Sequence, residues 1–311
     1  MIAAKRPSTV LDAVSSTVVG QREVVEALVL GLIAGGHVLL EGVPGLAKTL
    51  ACRALAAAIG GDFKRIQFTP DLLPSDIIGT RIFDQRSATF STVRGPIFAN
   101  VVLADEINRA PAKVQSALLE GMQERQATIG PDSLPFPEPF IVLATMNPLD
   151  ADGTYALPLA QMDRFLMKVL VSYPSREEEL AIVERFGART PAVVRDVAGP
   201  EDIVAWQAQA RRIHLEPSLR DYIVEIVRTT RDRTVSPYLE TGASPRASLA
   251  LAQLARARAL LEGRDFAIPD DVKALAPAAL RHRVQFGHRL YADGVEPEDA
   301  VAMAVAAVRA P

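Results

Sequence analysis

Residues 41–50 read EGVPGLAKTL, and this stretch restricts the possible folds more than any other. A short apolar run, His37–Leu40, precedes it, and an alanine-rich stretch, residues 47–59, follows. A buried strand, a glycine-containing turn and a helix, in that order, make an anion site. Backbone N–H groups at the helix start point into the turn, and the helix dipole favours negative charge there. Gly42 and Gly45 open backbone conformations closed to other residues. Lys48 can reach the β- and γ-phosphates of a nucleotide, and the Thr49 hydroxyl can bind Mg²⁺. The stretch departs from G-x-x-x-x-G-K-[ST] at one place, Ala47, where the second glycine would stand. Position 47 is read as already entering the helix, a conformation that suits alanine. On its own the match is equally a Gly-Pro turn whose lysine faces solvent.

Strands and helices alternate through the first half. Residues 20–35 have helical spacing, with Val24, Leu28 and Leu32 on one face and Gly35-Gly36 as a stop. Strands are expected at 37–42, 63–68, 101–105, 140–145 and 166–171, with helices at 47–59 and 111–124. Such alternation implies a parallel sheet covered by helices. Two stretches break the rhythm, 79–95 as a hairpin insertion and 125–139 as a second hairpin or loop. Beyond Tyr173-Pro174 only helical patterns follow, beginning with a capping-box pair, Ser175 and Glu178. The expected division is a nucleotide-binding core over 1–174 and an all-helical unit over 175–311. Trp206 and the apolar helical stripes are read as the core of that second unit.

Chemically suited residues stand at the ends of these elements. VVLADE closes a buried strand with Asp105 and Glu106, where open α/β sheets bind ligands. Asp105 can hold Mg²⁺ through water and Glu106 can polarise an attacking water. Asn147, ending FIVLATMN, can orient that water; alone it is an ordinary Asn-Pro turn. Arg164, in LAQMDRF, is either a surface residue or a cation reaching the γ-phosphate held by a neighbouring subunit. Arg246 sits in the first turn of a helix, where a cation opposes the dipole unless an anion lies between them.

Together these pieces resemble the AAA+ ATPases, and within them the MoxR family. The likeness is carried by GVPGLAKT, GPIFANVVLADEINRAP, ALLEGMQER, ATMNP, LPLAQMDRF and GASPRA, and spans nearly the whole chain. Alanine at position 47 is itself usual in that family. The resemblance implies a P-loop α/β core with helices on both faces of a parallel sheet, followed by a small all-helical lid. It implies ATP binding by Gly42, Val43, Pro44, Gly45, Leu46, Ala47, Lys48, Thr49 and Leu50. Mg²⁺ would lie near Thr49 and Asp105, and Val18, Val19 and Gly20 would line the adenine. Glu106 would assist hydrolysis, Asn147 would be sensor 1, Arg164 the arginine finger and Arg246 sensor 2. Arg109 is a weaker candidate for a second subunit-bridging contact. The one departure, Leu159 where an acidic residue is common, touches no assigned role. The two insertions would face a central pore or a client.

A finger acting in trans needs a ring, a homo-oligomer that the resemblance makes a hexamer. The implied work is chaperone-like maturation of a client complex, often one with a von Willebrand factor A domain, with cofactor or metal insertion a recurring theme. Alternatives are a metal-chelatase-type motor subunit, a DNA-remodelling motor, and a nucleotide-gated scaffold with little turnover. Charge weighs against DNA. Residues 1–174 carry 15 Lys and Arg against 17 Asp and Glu, and 175–311 carry 19 against 20, so neither half is basic. Cys52 is the only cysteine, so neither an intrachain disulfide nor a thiolate cluster can form. The histidines are scattered, and His282 in RHRV is read as facing a helix groove or solvent. Apolar stretches fall short of the roughly 18–20 residues a membrane span needs. The N-terminus lacks a signal-peptide pattern. A soluble cytoplasmic protein is expected.

Overall fold

The computed structural model describes residues 5–86, 88–148, 154–186 and 197–311. Ser87, in the first expected hairpin, and Gly187, ending an expected helix, lie outside the described residues. In chain order the elements begin with α1 (Pro7–Ser15), α2 (Arg22–Ala34), β1 (Val38–Glu41), α3 (Lys48–Ala58) and β2 (Phe63–Gln67). There follow α4 (Pro74–Ile78), β3 (Gly79–Asp84), β4 (Thr89–Arg94), β5 (Val101–Asp105), α5 (Ala112–Glu124), β6 (Gln126–Ile129), β7 (Asp132–Pro135) and β8 (Ile141–Met146). The rest are α6 (Leu159–Met162), β9 (Met167–Leu170), α7 (Arg176–Phe186), α8 (Pro200–Arg212), α9 (Pro217–Thr229), β10 (Leu239–Thr241), α10 (Pro245–Leu261), α11 (Pro269–Leu280), β11 (Gln285–Phe286), α12 (His288–Ala292) and α13 (Pro297–Ala306). Among the described residues no helix is long and apolar enough to cross a membrane.

The chain divides into two compact units, Met1–Leu157 with Val169–Val204, and Pro158–Lys168 with Ala205–Pro311. The sequence reading drew a single boundary at 174. Among the described residues, the structure instead places 175–186 and 197–204 with the first unit and the short segment around Arg164 with the second. Sequence pattern marks where strands give way to helices, whereas a compact unit depends on which distant residues the chain returns to.

The first unit holds a five-stranded sheet in the order β2-β5-β8-β1-β9, with β2–β5, β5–β8 and β8–β1 parallel. The step from β1 to β2 runs one way across the sheet and that from β5 to β8 the other. Right-handed crossovers therefore put α3 and α5 on opposite faces. β5 and β8 are central and read as continuous apolar runs because both their faces are covered. Register aligns Gln67 with Asp105 and Glu41 with Met146, so four strands finish side by side. That shared edge carries the site.

Both insertions are hairpins, β3–β4 and β6–β7, each a two-stranded antiparallel sheet. The Ser175–Glu178 capping box forms as expected. Glu178 N donates to Ser175 Oγ at 3.2 Å, and Ser175 N to Glu178 Oε2 at 2.8 Å. The second unit is helical apart from a small ribbon, β10–β11, too short to leave a pattern in sequence. Within it α10 packs on α9 and α11, and α13 on α9 and α11. Alanines 247, 250, 255, 257 and 259 of α10 are buried, and small side chains let neighbouring helices approach closely. Trp206 lies in this core.

Candidate active site

The loop after β1 and the ends of β5 and β8 surround one cavity of about 380 Å³. Its lining includes Pro44, Gly45, Leu46 and Ala47 from the loop, Lys48 and Thr49 at the start of α3, Asp105 ending β5 with Glu106 just after it, and Asn147 beyond β8. Nothing but the sheet register is needed to bring these three stretches together. Gly42, Val43 and Leu50 flank the loop outside this lining. Val18, Val19 and Gly20 form the turn between α1 and α2, where Gly20 has φ +73° and packs on Pro174 and Glu178.

The loop shows one conformational surprise. Ala47 has φ 54° and ψ 18°, the left-handed region, and α3 begins only at Lys48. The expectation of a helical alanine is corrected here. A left-handed residue with a Cβ costs about 1–2 kcal/mol relative to a relaxed one. Glu106, across the cavity, is also left-handed at φ 56° and ψ 51°. Among the described residues only four non-glycine positions have positive φ, and two of them line this cavity. Strain of this kind persists where surrounding structure enforces it, commonly at functional sites.

The charged groups are engaged with one another. Lys48 Nζ donates to the carbonyl of Gly42 and, at 3.1 Å, to that of Val43. Burial pulls the Lys48 ammonium below the usual lysine range, while Asp105 and Glu106 pull it upward. Asp105 is nearly buried, and a buried carboxylate must be paired. Arg65 donates to its Oδ2 through Nε at 2.9 Å and Nη2 at 2.6 Å, and Thr145 Oγ1 donates to its Oδ1 at 2.6 Å. Glu106 N donates in turn to Thr145 Oγ1 at 2.8 Å. Glu106 Oε2 accepts from Gln67 Nε2 at 2.9 Å and pairs with Arg109 Nε at 3.2 Å. Arg109 thus meets Glu106 of its own chain.

Arg65, Gln67 and Thr145 were not singled out from sequence. A signal for them exists: Arg65 and Gln67 are two apart on a strand, hence on one face, and Thr145 is the polar member of an apolar run. What sequence lacks is the register that sets β2 beside β5.

The donor set suits a magnesium nucleotide. Mg²⁺ takes oxygen ligands, usually one or two from protein with the rest from phosphate and water. Thr49 and Asp105 supply that minimum, and no cluster of three or more His, Cys, Asp or Glu able to hold a metal occurs among the described residues. Arg65 pairs with Asp105 at 2.6 Å, so that carboxylate already faces a positive charge inside the cavity.

Arg164 and Arg246 belong to the second unit, and both are exposed. Arg164 follows α6. Arg246 lies in the first turn of α10, whose N-cap, Ser244, accepts from Arg246 N at 3.2 Å. His282, expected in a groove or in solvent, is instead buried, with Nε2 3.1 Å from the carbonyl of Phe165.

Comparison with known proteins identifies the family and the fold. Residues 37–167 match the ATPase family associated with various cellular activities (AAA), and residues 231–303 match the AAA lid domain. The chain is 50% identical over 291 residues to Chaperone MoxR1 of Mycobacterium tuberculosis, covering 92% of this chain and 77% of that protein. It is 32% identical to Protein MoxR of Paracoccus denitrificans, covering 88% and 86%. A candidate ATPase from Cytophaga hutchinsonii, solved at 2.00 Å, superposes with TM-score 0.90 at 42% identity over 98% of this chain and 94% of that one.

Proposed function

Because this chain belongs to the MoxR family of AAA+ ATPases, we propose that it hydrolyses ATP to drive chaperone-like remodelling of a client protein. The observation that carries this reading is the meeting of Lys48, Thr49, Asp105, Glu106 and Asn147 around one cavity at the ends of parallel strands. Each then has a chemical task. Lys48 leaves the Gly42 and Val43 carbonyls for the β- and γ-phosphates. Thr49 and Asp105 would hold Mg²⁺, which neutralises phosphate charge as the leaving group departs. For Asp105 to do so, Arg65 must release it. Glu106 accepts the proton of the attacking water, once free of Gln67 and Arg109, and Asn147 orients that water.

In this reading Arg246 is the sensor 2 arginine that responds to bound nucleotide, and Arg164 completes the site of a neighbouring copy in a homo-oligomeric ring. The bonded arrangement of Lys48, Asp105 and Glu106 is then the resting state. The name of the Mycobacterium tuberculosis relative supports the chaperone role. Glu106→Gln is expected to keep ATP affinity while turnover falls by about 10²-fold or more. Turnover at the parent rate would remove Glu106 as the general base.

A further inference from the structure

The second unit contains a buried fastening that the hydrolytic chemistry does not use. Three consecutive residues after α11, Arg281, His282 and Arg283, grip the segment Asp163–Lys168. Arg281 Nη1 donates to the carbonyl of Lys168 at 3.2 Å, and His282 Nε2 to that of Phe165. Arg283 is almost wholly buried and directs every guanidinium N–H inward. Nε donates to Asp163 Oδ1 at 2.8 Å, and Nη1 to the carbonyls of Leu166 at 3.0 Å and Ala279 at 2.5 Å. Nη2 donates to the carbonyls of Phe165 at 2.5 Å and Asp163 at 3.3 Å. A guanidinium has five N–H donors, and these bonds use all five. Arg283 therefore has no donor left for a ligand.

Asp163 has a second partner. Its Oδ2 accepts from Ser244 Oγ at 2.8 Å. Ser244 caps α10 two residues before Arg246, and Asp163 immediately precedes Arg164. One carboxylate thus joins the chain beside Arg164 to the chain beside Arg246. Burial lowers the Arg283 guanidinium below its usual range, Asp163 opposes that shift, and the Arg246 charge adds a smaller lowering. Buried ion pairs commonly give no more stability than apolar side chains of the same size, so fixed geometry is the better account of one so fully bonded.

We propose that Asp163, clamped by Arg283 and bonded to Ser244, is a positioning residue that makes Arg164 and Arg246 move as one body. Nucleotide met by Arg246 in one subunit is thereby transmitted to the neighbour's site through Arg164. This rests on the reading of both arginines given above.

The test mixes subunits. Parent protein and Glu106→Gln are co-assembled in equal amounts and ATP turnover is measured against the unmixed parent. Independent subunits would leave half the activity. Coupled subunits leave well under half, because each stalled site holds back its neighbour. Ser244→Ala removes the bond to Asp163 and leaves the Arg283 clamp. In that background the mixture should return to half, and Ser244→Thr, which keeps the hydroxyl, should behave as the parent. Should the alanine variant fold poorly, Ser244→Gly removes the same hydroxyl at a position where glycine is tolerated as a cap. The proposal is overturned if the parent mixture sits at half, or if the Ser244 variants stay as depressed as the parent. Failure of the ATPase reading looks different: the unmixed parent shows no turnover at all.

Discussion

Acid should destabilise this protein through two histidines, and for His37 the effect can be calculated. His37 begins the run into β1 and is buried against Phe140. Its Nδ1 accepts from Val142 N at 2.9 Å, and its Nε2 lies 3.1 Å from the carbonyl of Met122. That pattern requires the neutral ring with the proton on Nε2. A second proton on Nδ1 would face the Val142 N–H. Burial, assisted by the Arg125 cation, lowers its pKa from 6.5 to about 4. The unfolded chain therefore binds a proton between those values that the folded chain refuses. Stability is complete above the unfolded pKa and declines as pH falls toward the folded one. The whole interval is worth about 3 kcal/mol at 1.36 kcal/mol per unit. Burial and then the Arg283 cation hold His282 neutral well below the usual range, so it adds a loss of the same sign.

The assay is urea unfolding followed by circular dichroism at about pH 6 and about pH 5, above the range where carboxylates dominate. His37 should remove about 1 kcal/mol over that step, with His282 adding a loss of the same sign, and His37→Gln should shrink the parent's loss by about that 1 kcal/mol whatever its own starting stability. An equal loss in the parent and His37→Gln would refute the reasoning.

Two further predictions concern the site. A Cβ on Gly42 would come within 2.7 Å of the Val171 carbonyl and 2.9 Å of Val171 Cβ, beside the Val171 N–H bond to the Glu41 carbonyl. Gly42→Ala should therefore cost about 1–3 kcal/mol in urea unfolding and weaken nucleotide binding, while parent-like stability and affinity would contradict the packing described. Arg164→Ala should leave ATP affinity intact and lower turnover of the assembled protein by about 10³-fold or more, and unchanged turnover in that state would deny it the finger role.

The sheet was legible because central parallel strands announce themselves. VVLAD and FIVLAT are unbroken apolar runs, and each ends in a polar residue that the register then gathers. The loop was legible by spacing, yet its conformation was not, since residue type does not reveal that Ala47 turns left-handed. Arg65 escaped notice because its partner, Asp105, lies 40 residues away on another strand. His282 was misjudged for a related reason. It stands in a run of charges, Arg281-His282-Arg283, that looks solvent-facing, yet it is buried and its Nε2 meets the Phe165 carbonyl 117 residues distant. The helix α1 is nine residues long with two buried valines, Val10 and Val14, too little to establish a period.

Isothermal titration of the parent protein and Lys48→Ala with ATP, magnesium supplied, tests the central claim most directly. The parent should bind one ATP per chain, and Lys48→Ala should bind at least about tenfold more weakly, the loss of one charge-assisted contact to phosphate. Equal affinity in the two proteins, or no binding by the parent at millimolar ATP, would contradict the account.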